Sequence, residues 1–401
     1  MMPQALAQAV EIATTALAVA GMAYFLASIV AARVFLHERR APQPDFAPGV
    51  SVLKSLKGLD PGMLDAFRSH CRQNYAGEFE LLFGVASLSD PAAAAVKDLQ
   101  AEFPECAIRL EECPQQLGTN GKVSTLAQLV THARYDFLLI NDSDITVSSS
   151  YLERVMCRFA NPPFPQRNAE RMGQRIAKVG MVTALYRGKA HGTLPSRLEA
   201  LGIATEFMPG VLLSKLIEGG LHYGLGSTLA MRREALEKSG GLLSVVDHLA
   251  DDYELGARID QAGYRVVVSS EVVETSVPAY DWRGFFDHQL RRQRTVRCSR
   301  PAGYAGLIVT YGLGWALVNV LASGLSPLSL WLLGLSFFLR LAQAMTVGAS
   351  VLGDHEVLAN LWLLPLRDVI AMGLWVAGFA GDTIVWRGER FALKNGKLAK
   401  V

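Results

Sequence analysis

Three acidic groups in this chain have the types and spacing that chemistry needs. Asp142-Ser143-Asp144 follows the apolar run Tyr135 to Ile140 almost directly. In D-x-D an extended or tightly turned backbone brings two carboxylates to one point, and hard oxygen ligands of that kind suit Mg2+ or Mn2+ held together with substrate phosphates. The same residues can instead form an Asx-turn leading into a helix. Asp247-His248-Leu249-Ala250-Asp251-Asp252 packs three carboxylates and an imidazole into six residues. A starting helix accounts for one or two of those acids through its dipole. Adjacent acids repel unless a cation or a reacting hydroxyl uses them, and a carboxylate with raised proton affinity there can serve as general base. Asp90 precedes Pro91, and Asp-Pro is an ordinary helix cap as well as a candidate ligand at a strand end. A basic run, His288-Gln289-Leu290-Arg291-Arg292 followed by Arg294, Arg297 and Arg300, comes after Trp282 and Phe285-Phe286. Phosphate binding and juxtamembrane lipid electrostatics both account for it.

Such residues must be carried by elements that bring them to one place. Between about Val50 and Arg300 short β-rich runs alternate with helical patterns. Val50–Leu53, Phe79–Ala86, Ala107–Leu110, Tyr135–Ile140, Val179–Leu185, Ser227–Met231 and Tyr264–Ser269 read as strands. Asp60-Pro61 and Asp90-Pro91 read as helix starts, and Lys122–Ala133 as a helix. The alternation implies an α/β domain with a mostly parallel sheet, helices on both faces and ligands beyond the carboxyl ends of the strands. Asp90, Asp142 and Asp144 all fall just after strands.

Half of the 401 residues are hydrophobic and only 19% are charged, which excludes disorder and points to segments that dissolve in lipid. Ile12 to Ala32 carries no charge, lacks a basic stretch before it and is followed by Arg33, Arg39 and Arg40. It reads as an uncleaved anchor rather than a signal peptide, with the next domain on the cytoplasmic side. Ala305–Gly324 and Leu328–Gly353 (interrupted by Arg340) read as spans. Val357–Trp386 carries Arg367-Asp368 in its middle and reads as interfacial, re-entrant or a broken hairpin, because a charge pair facing lipid is expensive. The expected plan is an N-terminal anchor (1–40), a cytoplasmic catalytic domain (41–300), transmembrane or interfacial helices (301–386) and a basic cytoplasmic tail (387–401). A net charge of +2, from 39 basic and 37 acidic residues, gives no reason to expect nucleic acid. Five cysteines without a C-x-x-C read as reduced thiols, with no zinc or disulfide framework.

In order, these pieces resemble the GT-A, family 2-like inverting glycosyltransferases, and within them the ceramide glucosyltransferase family (family 21) with its bacterial hopanoid-biosynthesis relatives. The resemblance rests on SVLKSLKGLDP, FELLFGVASLSDPA, LGTNGKVSTL, NDSDI, DHLADDYELG, HQLRRQRTVR and DTIVWRGERF. It implies a Rossmann-like GT-A domain with membrane helices at both ends, in a bacterial-type inner membrane. It implies a UDP-sugar donor, UDP-glucose, and a membrane lipid acceptor, ceramide or a hopanoid; a hopanoid N-acetylglucosaminyltransferase is the alternative within the family. The family's "D, D, D, (Q/R)xxRW" signature carries over onto Asp90 at the uracil-ribose half of the donor, Asp142 on the donor and metal, Asp144 on Mg2+ or Mn2+, and Asp252 as general base. Lys54 is placed near the nucleotide and Arg291 on the diphosphate. Asp251, His288, Gln289 and Arg292 belong to the diphosphate and acceptor region. His288 stands where the family has Gln or Arg, and Arg292 where it has Trp. A processive polysaccharide synthase and a non-catalytic membrane-anchored sugar-nucleotide or lipid-binding protein are the rival readings.

Overall fold

The computed structural model describes residues 4–60, 62–160, 177–386, 389–394 and 396–400. The chain forms two compact units, one of residues 38–189, 218–278 and 396–401, the other of 1–37, 190–217 and 279–395. Segments 190–217 and 279–300, which composition alone groups with the soluble domain, thus cluster with the apolar helices.

The first unit is built on a mixed sheet of eight strands: β1 (Val50–Leu56), β2 (Phe79–Val85), β3 (Ile108–Glu112), β4 (Phe137–Ile140), β5 (Ile145–Thr146), β6 (Val179–Ala190), β7 (Leu229–Arg232) and β8 (Arg265–Val277). Their order is β3-β2-β1-β4-β7-β6-β8-β5. The β3-β2-β1-β4 half is parallel, as the strand-helix alternation requires. Beyond β4 the β4–β7, β7–β6 and β8–β5 pairings are antiparallel. In the parallel half Val50 lies opposite both Phe79 and Phe137, so β1, β2 and β4 end at one edge. Val50, Val52, Leu81, Phe83 and Leu139 belong to one buried core with helix residues Phe67, Val96, Leu99 and Tyr151. Each such large side chain contributes about 1.5–3 kcal/mol by leaving water. That core fixes the edge from which Asp90 and Asp142 emerge.

Two helix starts differ from expectation. The first helix begins at Met63 behind Gly62, whose φ of 78° makes a left-handed turn. Asp60 does not cap it through its side chain; its carboxylate accepts the Ser143 hydroxyl at 2.9 Å, while Pro61 lies outside the described residues. Lys122 sits one residue inside a helix running Gly121–Leu129, capped by Asn120, whose side chain accepts the Val123 N–H at 3.2 Å. Nor is the C-terminal segment a loose basic tail. Thr383–Trp386 pairs antiparallel with Glu389–Lys394, and at Lys397–Lys400 the backbone bonds Leu249 N–H to Gly396 and Leu398 N–H to Asp247.

In the second unit four described helical segments are long and apolar enough to cross a membrane: Ala5–Arg39, Leu194–Glu218, Pro327–Val351 and Leu361–Gly378. Pro301–Thr310 and Gly312–Ala322 form a further pair bent by 57°. Gly21 meets Gly312 so closely that a Cβ on Gly21 would lie 2.1 Å from the Gly312 Cα, the small-residue contact by which membrane helices approach. Nearby, the Asn319 amide donates to the Thr14 and Thr15 hydroxyls at 2.9 and 2.8 Å.

The mid-helix charges are paired. Arg340 grips Asp368 through two hydrogen bonds of 2.8 and 2.6 Å and also donates to the Thr205 carbonyl and the Gln343 side chain. Arg340 and Asp368 are 3% and 6% exposed. Arg367 lies 2.7 Å from Glu206. With the charges turned inward and neutralised, Leu361–Gly378 has the character of a span, and the lipid-facing cost that argued for a re-entrant segment does not arise.

Candidate active site

At the carboxyl edge of the sheet the chain places Asp90, Asp142, Asp144, Asp251 and Asp252, and two lysines bind the Asp142 and Asp251 members of that group. Lys54 lies inside β1, opposite Phe83, rather than after the strand. It is 1% exposed, and its ammonium donates to the Asp142 carbonyl at 3.0 Å. Burial brings its pKa down to about 7, while Asp144 and Asp142 pull the other way. Lys54 therefore holds the backbone of the D-x-D turn from beneath.

Lys122, at the start of the helix expected over Lys122–Ala133, has a function that its sequence context does not show. Its ammonium sits 2.7 Å from Asp142 Oδ1 and 3.4 Å from Asp251 Oδ2. Burial disfavours its charge, but Asp142 and Asp251 outweigh that and raise its proton affinity. One internal cation thus joins the D-x-D turn to the second acidic cluster. The loop before it is pinned to the same cluster. Thr119 donates its N–H and hydroxyl to Asp247 Oδ1, both at 2.9 Å, and Asn120 donates to the His248 carbonyl at 2.9 Å. The two Thr119 bonds hold the Asp247 carboxyl below its ordinary pKa.

Asp252 lies in the first turn of the helix Asp251–Gln261. Burial, reinforced by the Asp251 charge, pushes its pKa up to about 6, with Lys122 acting in the opposite direction. A Cβ placed on Gly226 would lie 3.0 Å from Asp252 Oδ2 and 3.5 Å from Asp142 Oδ2. The two carboxylates therefore approach the same glycine, and a methyl group there would make Asp252 Oδ2 give by a few tenths of an ångström. Asp144 accepts the Thr275 hydroxyl at 2.5 Å. Burial and then Asp142 raise its proton affinity, as expected for neighbouring carboxylates.

Asp90 fulfils the structural role open to it. Its carboxylate accepts Ala92 N–H at 2.9 Å as the cap of Pro91–Glu102, and Gly58 N–H at 2.9 and 3.1 Å. It thereby locks the loop after β1 to the helix after β2, at the same edge as Asp142.

Among the described residues no three His, Cys, Asp or Glu side chains form a complete metal cage. One or two carboxylates plus substrate phosphates are what Mg2+ and Mn2+ commonly use instead. The half-buried Asp142, whose second oxygen faces Gly226, and Asp144, whose proton affinity is raised by burial and then by Asp142, fit that donor set.

The His288–Arg292 element lies in the other unit, on the helix Trp282–Ser299. His288 Nδ1 is 2.9 Å from the Glu199 carboxylate, and its ring stacks on Tyr280 at 5.5 Å. Gln289, 2% exposed, accepts from Arg367 at 3.2 Å. Arg292 lies over the Phe207 ring at 4.3 Å, a cation–π contact that occupies the position of the expected tryptophan. Arg291 is half-buried on the same helix.

The model of Glycosyl transferase family 21 matches residues 13–399. Ceramide glucosyltransferase 3 of Caenorhabditis elegans is 23% identical over 410 residues, covering 96% of this chain and 82% of that protein. A ceramide glucosyltransferase of Komagataella phaffii is 32% identical over 124 residues, 30% of this chain and 24% of its own. Among solved structures, the mannosyltransferase PcManGT from Pyrobaculum calidifontis in complex with GDP-Man and Mn2+ aligns with a TM-score of 0.52 at 19% identity, over 93% of this chain and 97% of that one. That likeness is one of fold, and it agrees with the GT-A sheet. With a match spanning nearly its whole length, the chain belongs to glycosyl transferase family 21 and is a glycosyltransferase.

Proposed function

We propose that the chain transfers one hexose from a UDP-sugar, UDP-glucose, to a hydroxyl of a neutral membrane lipid of the ceramide kind, inverting the anomeric centre, with its catalytic unit on the cytoplasmic side. The observation that carries the reading is Asp252: a carboxylate with raised proton affinity, set across Gly226 from the D-x-D aspartate. Asp252 takes the acceptor's hydroxyl proton as that oxygen bonds to C1. The bond from C1 to the diphosphate oxygen breaks on the opposite face, and its electron pair leaves with UDP. Asp142 and Asp144 are the residues that would hold Mg2+ or Mn2+, which supplies charge neutralisation at the leaving diphosphate when bound. Lys54 holds the backbone of Asp142, Lys122 its carboxylate and Thr275 the carboxylate of Asp144. Asp90 fixes the loops of the donor edge, and Arg291 is assigned to the diphosphate from its motif. Relatives named as ceramide glucosyltransferases and the inward-facing charges of the apolar helices support a lipid acceptor.

The proposal is tested by incubating the full-length protein in nanodiscs with UDP-glucose, Mn2+ and ceramide. The expected product is a single β-glucosylceramide by mass spectrometry and NMR. Product formed only with UDP-N-acetylglucosamine and a hopanoid polyol would move the donor and acceptor to the alternative within the family. A polymer, or no product with any lipid, would reject the proposal.

Two further outcomes follow from the site. Gly226→Ala crowds Asp252 Oδ2, which must give by a few tenths of an ångström, and turnover falls by roughly several-fold, since a full ångström of misplacement can cost about 10²-fold. Steady-state kinetics on the folded variant check this. Lys122→Met removes the cation between Asp142 and Asp251, so the proton affinity of Asp252 rises further and the acid limb of the pH–rate profile moves to higher pH. An unmoved limb would show that Lys122 does not act on the base.

A further inference from the structure

The helical unit holds a small, partly open cavity of about 20 Å³ in which Tyr24, Phe25 and Ala371 share the wall with Thr205, Glu206, Thr310, Tyr311, Arg340 and Asp368. A space of that size accepts one water-sized group. Arg340 and Asp368 spend their hydrogen bonds on each other, on Thr205 and on Gln343, and Thr310 donates to the Leu307 carbonyl at 2.7 Å. Tyr311 differs. It is 4% exposed and its hydroxyl has no hydrogen-bond partner among the described residues. Leaving a buried hydroxyl unpaired costs about 1–3 kcal/mol, so something from outside the chain must satisfy it if the residue is to be retained at no loss.

The backbone points the same way. Tyr311 is the residue between Leu307–Thr310 and Gly312–Ala322, at the 57° bend. A broken helix at membrane depth is tolerated where it is buried in protein or lines a polar cavity, and in membrane proteins such breaks mark ligand sites. The same wall offers the Glu206 carboxylate, 2.7 Å from Arg367. A hydroxyl or amide can accept from Tyr311 and donate to Glu206. The charges on the wall are balanced, Arg340 by Asp368 and Glu206 by the neighbouring Arg367, so among the described wall residues no uncompensated cation is left for a phosphate. We infer that this cavity binds one uncharged hydroxyl or amide of a lipid headgroup, with Tyr311 as the donor that selects neutral hydroxylated lipids over anionic phospholipids. The inference rests on the lipid-acceptor reading and gives that acceptor a recognition site in the apolar unit.

The test uses the full-length protein in nanodiscs and Tyr311→Phe, which removes the hydroxyl and keeps the ring. Native mass spectrometry measures retention of ceramide, of its 1-O-methyl, 3-O-methyl and N-methyl analogues, and of phosphatidylglycerol. Wild type is expected to hold ceramide over phosphatidylglycerol and to lose about 10-fold in affinity for one methylated analogue. Tyr311→Phe is expected to bind ceramide about 10-fold more weakly and to lose the discrimination against that same analogue. In the kinetic assay the acceptor KM rises by a similar factor, while the KM for UDP-glucose stays within twofold. Equal binding of all lipids by wild type, or unchanged acceptor KM and discrimination in Tyr311→Phe, would overturn the inference; the latter is the result for a cavity that holds only water. The binding arm reads without turnover, so a protein that selects ceramide yet forms no glycolipid would sink the proposed reaction and leave the site standing.

Discussion

Asp252→Asn is expected to lower turnover by about 10²–10⁴-fold, the range of a general base, in a protein that folds and is more heat-stable than wild type. Both halves follow from the same shift. Asn keeps the shape of the side chain and can still accept the Tyr253 N–H that Asp252 accepts at 2.8 Å, but it cannot take a proton from the acceptor. The folded-state pKa of Asp252, about 6, lies above its ordinary value of 3.8. Between those values the native state binds more protons than the unfolded chain, so stability falls as pH rises through that window. At neutral pH the native protein carries the full penalty of a buried carboxylate beside Asp251, and the amide relieves it. A base works only when deprotonated, so kcat/KM of wild type should fall as pH drops below about 6. Thermal unfolding at pH 7 and the pH–rate profile check the two consequences together. Near-wild-type turnover with intact folding would show that another group takes the proton.

Asp368→Ala is expected to cost about 3–5 kcal/mol of stability, because it strands the buried Arg340 charge. Arg340 would keep its bonds to the Thr205 carbonyl and Gln343 at 2.7 and 2.6 Å but lose both bonds to the carboxylate. A buried ion pair replaced as a unit behaves differently: exchange for apolar side chains of similar volume is often neutral or stabilising. Arg340→Met with Asp368→Leu should therefore recover at least half of the loss. The pair joins Pro327–Ala344 to Leu364–Gly378, so the defect should appear as melting of the detergent-solubilised full chain at lower temperature. A single variant as stable as wild type would mean that water or lipid headgroups solvate Arg340.

The parallel half of the sheet and its acids were legible because the signal is local. A buried strand such as Tyr135–Ile140 followed at once by Asp-Ser-Asp shows both the element and the edge where its acids stand, and Asp251-Asp252 declares its repulsion within two residues. What could not be read depends on partners remote in the chain. Leu194–Glu218 carries Arg197, Glu199 and Glu206, which give it the look of a soluble amphipathic helix. Two of those charges face His288 and Arg367 in the fold, so the segment belongs with the apolar helices. Arg367-Asp368 gave the converse error: alone it argued against a span, and Arg340 removes that objection. Lys122 shows the same limit at the site. Its position was plain, but its function as the cation between Asp142 and Asp251 exists only once the helix Gly121–Leu129 has brought it there. The antiparallel direction of the strands beyond β4 left no sign either, since a short apolar run reads alike in both directions.

The central claim is that the acids of this sheet edge drive transfer of a sugar to a lipid hydroxyl. Lipid-dependent UDP release by the purified full-length protein in nanodiscs measures it most directly. With UDP-glucose and Mn2+, release should rise at least about 100-fold when ceramide is present, matching the lower bound for a working general base, and that increment should vanish in Asp252→Asn. UDP release that ignores the lipid, or a lipid-dependent increment that survives in Asp252→Asn, would contradict the account.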